Sequence, residues 1–212
     1  MSESATREFF KTTSGVDLSI GVAGPDDLDQ MEKDDLFRTE YFMLPGSDKK
    51  WREGGLEETI ILSWIGAELV GRVRLIFDQM DVDMSYLDHE TGNVDMGFLM
   101  DLLVRPEHRK DGIGTLLIRF CENLSRNEGK NNTGVRLLFD NTRPLSLYLR
   151  LGYQKTYMSL PDAVDLYKRL DEPVSELSAS ELEALASRVL SEARAFAENA
   201  GAGDTFPWPV KA

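Results

Sequence analysis

From Val94 to Val104 the chain is apolar at almost every position, broken only by Asp95, Gly97 and Asp101. A run of this kind reads as a strand covered on both faces, and such a strand needs a layer above it and another below. The class that follows is α/β (α+β), a central sheet flanked by helices. The run leads straight into Arg105-Pro106-Glu107-His108-Arg109-Lys110-Asp111-Gly112-Ile113-Gly114. Beyond it, Ile113, Leu116, Leu117, Phe120 and Leu124 recur on one side of a helix spanning Gly112 to Asn127.

Other elements fall around this unit. Val16 to Val22 alternates weakly as a first strand, and Pro25-Asp26-Asp27 opens a helix whose pattern runs through Leu28, Met31 and Leu36 towards Phe42. Thr59 to Trp64, Gly66-Ala67 and Glu68 to Phe77 form strand, turn and strand. Asp78 to Asn93 is a polar loop without Lys or Arg. Gly134 to Phe139 reads as a strand, Pro144 to Leu151 as a short helix stopped by Gly152, and Tyr153 to Leu160 and Val164 to Leu170 as two more strands. Past Pro173, Ser178 and Glu181 make a capping box ahead of a stripe of Leu182, Leu185, Ala186, Val189, Ala193 and Phe196. The expected organisation is an arm over residues 1–15, a domain over 16–170, and an extension over 171–212 with a C-terminal amphipathic helix. That helix either packs on its own domain or serves as a lid or homodimer contact.

Composition removes several functions. A net charge of −13 leaves no basic surface to release counterions, so a nucleic-acid partner is not expected, nor an anionic membrane. A cationic acceptor would suit that field, although acidity also serves solubility alone. Apolar stretches such as Thr59 to Ile65 are too short to span a bilayer, and no apolar core follows Arg7 as in a signal peptide. A soluble, cytoplasmic protein is the expectation. Cys121 is the single cysteine and, with His89 and His108, cannot assemble a zinc site. A calcium loop starting at Asp81 would need Gly and Glu where Tyr86 and Gly92 stand. No metal is expected.

The chemistry concentrates between Asp101 and Gly114. A strand end, a short basic loop, two glycines and a helix start make an anion cradle. The first amides of the helix and its positive dipole end face one way, and glycine lets phosphate oxygens approach the backbone. Arg109 and Lys110 add charge at the rim. A P-loop is excluded because Gly114 is followed by Thr115 and Leu116. A dinucleotide fingerprint is excluded by Leu117, where a third small residue is required.

Leu102-Leu103-Val104-Arg105-Pro106 followed by Arg109 to Gly114 resembles the coenzyme-A motif of the GNAT superfamily of N-acetyltransferases. Asn141, Tyr148 and the pair Gly152-Tyr153 resemble that family's second signature, and the likeness covers about Val16 to Leu170. The resemblance implies a mixed, mostly antiparallel sheet and acetyl-CoA as co-substrate. It implies backbone pairing of Leu102, Leu103 and Val104 with the pantetheine arm, as a cofactor strand added to the sheet. It also implies pyrophosphate held by the amides of Arg109, Lys110, Asp111, Gly112, Ile113, Gly114 and Thr115. Asn141 is expected on the cofactor arm, and Tyr148 near the sulfur as general acid.

Acetyl transfer to an amine needs the free base, and an ammonium of pKa near 10 is neutral at pH 7 at a cost of roughly 4 kcal/mol. A positioned base and an oxyanion donor, here a backbone N–H near Val104, are therefore sought. Relatives that carry a Glu on the preceding strand find Phe98 matched to it here. Asp101 is the nearest acid, with Asp95 farther back, and strand parity sets Asp101 opposite Phe98. The acceptor pocket is expected to include Phe37, Glu40, Tyr41, Asp81 and Asp83, a lining that fits a small cationic amine. Two alternatives stand beside that reading: a protein or peptide acceptor, and a non-catalytic acyl-CoA-binding module.

Overall fold

The computed structural model describes residues 7–37, 58–77, 96–138, 144–155, 163–174 and 176–200. The strands are β1 (Arg7–Lys11), β2 (Asp17–Val22), β3 (Glu58–Ile65), β4 (Glu68–Ile76), β5 (Met96–Val104), β6 (Asn132–Leu138), β7 (Gln154–Lys155) and β8 (Ala163–Arg169). The helices are α1 (Pro25–Glu32), α2 (Ile113–Asn127), α3 (Leu145–Arg150) and α4 (Ala179–Ala200), with a 3-10 turn at Pro106–His108. Among the described residues the strands form one sheet in the order β1-β2-β3-β4-β5-β6-β8-β7. Every neighbouring pair is antiparallel except β5 and β6. A parallel pair needs a crossover, and α2 supplies it.

Among the described residues, three apolar clusters cover the two faces of the sheet, the smallest holding Ile76, Met96 and Phe98. On one, Ile113, Leu117, Ile118 and Cys121 of α2 meet Val73, Leu75, Leu99 and Val135. On the other, Leu28, Met31 and Phe37 close over Ile60, Leu62, Trp64 and Leu69. β5 is thus covered on both sides over Met96 to Leu99, as its composition demanded, but Met100 to Val104 are half-buried or exposed. α2 approaches β5 closely because Gly97 has no side chain: a Cβ there would lie 2.2 Å from Ser125 Oγ and 3.1 Å from its Cβ. Across the same helix the Lys168 ammonium donates to both carboxylate oxygens of Glu122 at 2.9 Å, a buried ion pair tying β8 to α2. A buried pair is costly to break on one side, because the remaining charge is left unpaired.

Two boundaries differ from expectation. The arm over 1–15 contains β1, which pairs with β2 from Arg7↔Gly21 to Lys11↔Asp17. Arg7 lies 3.7 Å over the Trp64 ring and binds Asp27 at 2.6 Å, so the edge strand is anchored to the α1 face. The helix opened by Pro25 ends at Glu32 rather than running towards Phe42. Asp34 is the cause: its carboxylate accepts the Leu36 N–H at 3.0 Å and pairs with Arg105, drawing the chain into a turn. Of the strand expected over Tyr153 to Leu160, residues 153–155 are described, with Gln154–Lys155 in β7, and the rest lies outside the described residues.

The C-terminal helix packs on its own domain, with Leu182, Val189 and Ala193 buried in the α2-side cluster. Its start is the expected capping box, in which Ser178 N–H donates to Glu181 at 2.9 Å and Glu181 N–H to Ser178 Oγ at 3.3 Å. The side chain of Phe196 lies outside the described residues. Gly97→Ala should destabilise the fold by about 1–3 kcal/mol, as overpacking does, measured by chemical denaturation. Adding Ser125→Gly should recover much of the loss; no recovery would mean the close approach of α2 is not the cause.

Candidate active site

β5 and β6 pair in parallel from Met96↔Asn132 to Leu99↔Val135, and there the pairing stops although both strands run on. Past that point β6 stays with β8 through Leu138↔Ala163, while β5 stays with β4 through Gly71↔Val104. The sheet therefore splits into a wedge with the backbone edge of Met100 to Val104 along one side. Peptide groups on such an edge need partners, and an extended ligand can supply them.

The split coincides with a bulge. Asp101 has a φ of 52°, and the β4–β5 register shifts between Arg72 and Arg74. A bulge re-aims side chains by adding a residue to one strand. Here it overturns the parity expectation, because Asp101 now shares a face with Phe98. Phe98 lies opposite Ile76 and Met100 opposite Arg74, while the Asp101 carboxylate accepts from Arg74 Nη1 at 2.8 Å. Beside them, buried Arg72 donates to the Phe37 carbonyl. Burial lowers the Arg72 pKa, Asp101 counters the fall, and Arg74 adds to it. These two arginines were missed in the sequence because alternation on β4 reads the same whichever face is lined by charge.

At the wide end of the wedge stands the start of α2. Gly112 is its N-cap, left-handed at φ 81° and without a side chain to bond the first amides. Those helix-start N–H groups are thus left for a ligand, with the dipole behind them. Lys110 is also left-handed, at φ 69°. Arg109 folds back so that Nε donates to the Val104 carbonyl at 3.0 Å, joining the loop to the end of β5. Gly114 lies beneath Leu102, Val104 and Leu147, where an added Cβ would keep 3.5 Å or more. Leu102 and Leu103 lie at the end of β5, and Ile113 and Thr115 in the first turn of α2. The Asp111 carboxylate, by contrast, faces the β1–β2 turn, accepting from Thr13 Oγ1 at 2.8 Å and from the Ser14 N–H and Oγ at 2.7 Å each.

Tyr148 sits in the core beyond the wedge, 2% exposed. α3 ends in a Schellman motif: Gly152, at φ 89°, donates its N–H to the Leu149 carbonyl, and the Tyr153 N–H donates to that of Tyr148 at 3.1 Å. The apolar contact such a motif makes is here an edge-on ring pair, Tyr148 against Tyr153, with centroids 5.2 Å apart. The Gly152-Tyr153 pair therefore has a physical task, to stop α3 and brace the Tyr148 ring. Tyr153 in turn shares a 3.0 Å hydrogen bond between its hydroxyl and Thr133 Oγ1. Burial, with Cys121 nearby, pushes the Tyr148 phenol well above its ordinary pKa, so it is held protonated. Burial does the same to the Cys121 thiol, which is no nucleophile in this state.

Phe37, expected on the acceptor pocket, has no exposed surface and belongs to the α1-side core, which needs its ring to cover Leu62 and Leu69. Glu40, Tyr41, Asp81, Asp83 and Asn141 lie outside the described residues.

A split parallel pair leading to an uncapped helix start, with a protonated tyrosine in the core behind it, fits coenzyme A. Residues 59–155 match the family model for an acetyltransferase (GNAT) domain. Solved structures agree on the fold. The GNAT domain of S. lividans PAT superposes with a TM-score of 0.59 at 16% identity, covering 77% of this chain and 96% of that one. An aminoglycoside 6'-N-acetyltransferase complexed with coenzyme A gives 0.53 at 19% identity, covering 74% and 99%. The ribosomal-protein-S18-alanine N-acetyltransferase from Escherichia coli gives 0.51 at 14%, covering 76% and 99%. No curated protein matches the chain by sequence. Residues 59–155 thus carry an acetyltransferase (GNAT) domain, on a fold shared with GNAT N-acetyltransferases.

The bonds to Asp111 hold its pKa down, to about 2 from an ordinary 3.8, with the Ser14 and Thr13 side chains as the largest causes. A depressed carboxylate pKa adds stability that is full above the ordinary value and is lost as pH falls through the folded one. Asp111→Asn should therefore melt below the wild type near neutral pH, and the gap should close between pH 3.8 and about 2. A gap that stays constant over that window in thermal melts would remove the assignment.

Proposed function

We propose that the chain transfers the acetyl group of acetyl-CoA to a primary amine of a small cationic molecule, by direct attack in a ternary complex. The observation that carries this reading is the wedge between β5 and β6, ending at the uncapped start of α2. In the proposed complex the pantetheine arm pairs with the edge at Leu102 to Val104, and the pyrophosphate rests on the amides from Arg109 to Thr115. Alignment of thioester and amine then supplies most of the rate, since orientation is pre-set by binding.

Tyr148 gives its proton to the departing thiolate. The phenol is protonated at neutral pH and can donate directly, although burial makes it a weaker acid than a free tyrosine. The free edge of β5 near Val104 offers N–H groups to the developing oxyanion. Asp101, turned by the bulge to the face of Phe98 and held by Arg74, takes the ammonium proton through water. The net charge of −13 draws a cationic acceptor towards the surface. The cytoplasm, where acetyl-CoA and small amines meet, is the compartment in which we place the reaction.

Thiol release from acetyl-CoA, followed across aminoglycosides, polyamines, amino acids and short peptides, tests this reading. Release with a cationic small amine is the expected result. Release with a peptide alone would transfer the activity to a protein acceptor, and bound acetyl-CoA without any release would leave a binding module. Tyr148→Phe should lower turnover at least about ten-fold while acetyl-CoA affinity stays close to wild type. Unchanged turnover would remove Tyr148 from the acid's role.

A further inference from the structure

Asp111 stands between the two left-handed residues of the cradle, Lys110 and Gly112. A residue with a side chain holds such a φ only where its surroundings over-determine it. Those surroundings come from the opposite end of the sequence. The turn joining β1 to β2 sets Thr13 and Ser14 against the loop, where three donors converge on the Asp111 carboxylate and the Thr13 N–H donates to the Asp111 carbonyl at 3.1 Å. The turn is itself closed. Thr12 N–H donates to the Val16 carbonyl at 3.0 Å, and Val16 N–H to Thr12 Oγ1 at 3.1 Å. Packing completes the joint, since a Cβ on Gly112 would come within 3.1 Å of Thr13 Cγ2.

We infer that Asp111, through Thr13 and Ser14, is a positioning residue for coenzyme-A binding: it latches the β1–β2 turn to the cradle and sets the direction of the helix-start amides. The inference rests on the proposal that this loop holds the pyrophosphate. It adds that the carboxylate acts inward, away from phosphate, and that a hairpin from the first residues of the domain is part of the cofactor site. A carboxylate beside a pyrophosphate would repel it if left unpaired. Three hydrogen bonds from the turn hold the carboxylate on the turn side of the loop, which leaves its charge in place but fixes its direction.

The test changes the turn and leaves the loop intact. Thr13→Val with Ser14→Ala removes both hydroxyl donors, and Ser14→Thr retains one in conservative form. Coenzyme A is titrated calorimetrically into the full chain, and acetyl transfer is measured with acetyl-CoA and with acetyl-pantetheine, which has no phosphates to place. The double variant should bind coenzyme A at least ten-fold more weakly and lose efficiency with acetyl-CoA, while kcat at saturation and efficiency with acetyl-pantetheine stay within two-fold. Ser14→Thr should resemble the wild type. If the double variant fails to melt cooperatively, Ser14→Ala alone takes its place with the same expectation. Wild-type affinity in the variants, or equal losses with both donors, would overturn the latch while leaving the cofactor reading in place. A wild-type chain that binds no coenzyme A would instead remove the cradle assignment and the inference with it.

Discussion

The site depends on one topological constraint, that β5 and β6 are the parallel neighbours in a sheet that is otherwise antiparallel. Parallel neighbours require a crossover, so α2 must start at the end of β5 and return to the beginning of β6. That puts the positive end of the helix beside the place where the strands separate. Each strand keeps its antiparallel partner there, β4 for β5 and β8 for β6, and each gives up the other. Among the described residues, a wedge with an unpaired backbone edge and a helix start at its mouth is the result.

Packing explains why the wedge does not close. α2 is pressed onto β5 at Gly97, and the Glu122–Lys168 pair holds the same helix to β8. Arg109 ties the loop to Val104, and Asp111 ties it to the β1–β2 turn. The opening is therefore framed from four directions by contacts that do not need a ligand. A frame set before binding lowers the ordering cost of the complex.

The two candidate proton carriers stand in opposite environments. Tyr148 is enclosed by the core and kept neutral, braced by Tyr153 through the end of α3. Asp101 is half-exposed on a bulge with an arginine against it. The proposed reaction gives the buried tyrosine the donor's part and the exposed carboxylate the acceptor's. The bulge accounts for Phe98: with Asp101 turned to the same face, a carboxylate is present on that face without occupying the Phe98 position.

Much of this was legible in the residues. The run from Val94 to Val104, the hairpin around Gly66-Ala67, the amphipathic α2 and the capping box at Ser178 are local patterns, written in side-chain periodicity and in short-range bonding. Glycine at 112 announces a tight helix entry because few other residues adopt its left-handed backbone. The face of Asp101 was beyond such reasoning, since a bulge inserts one residue and reverses every later parity. So was the core position of Phe37, whose neighbours come from β3 and β4. The partners of Asp111, at Thr13 and Ser14, are nearly a hundred residues away in the chain. By itself the sequence determined most of the strands and helices, because those depend on neighbours in the chain. Only the tertiary structure decided which side chains face the opening and which hold it open, because those depend on contacts that local pattern does not encode.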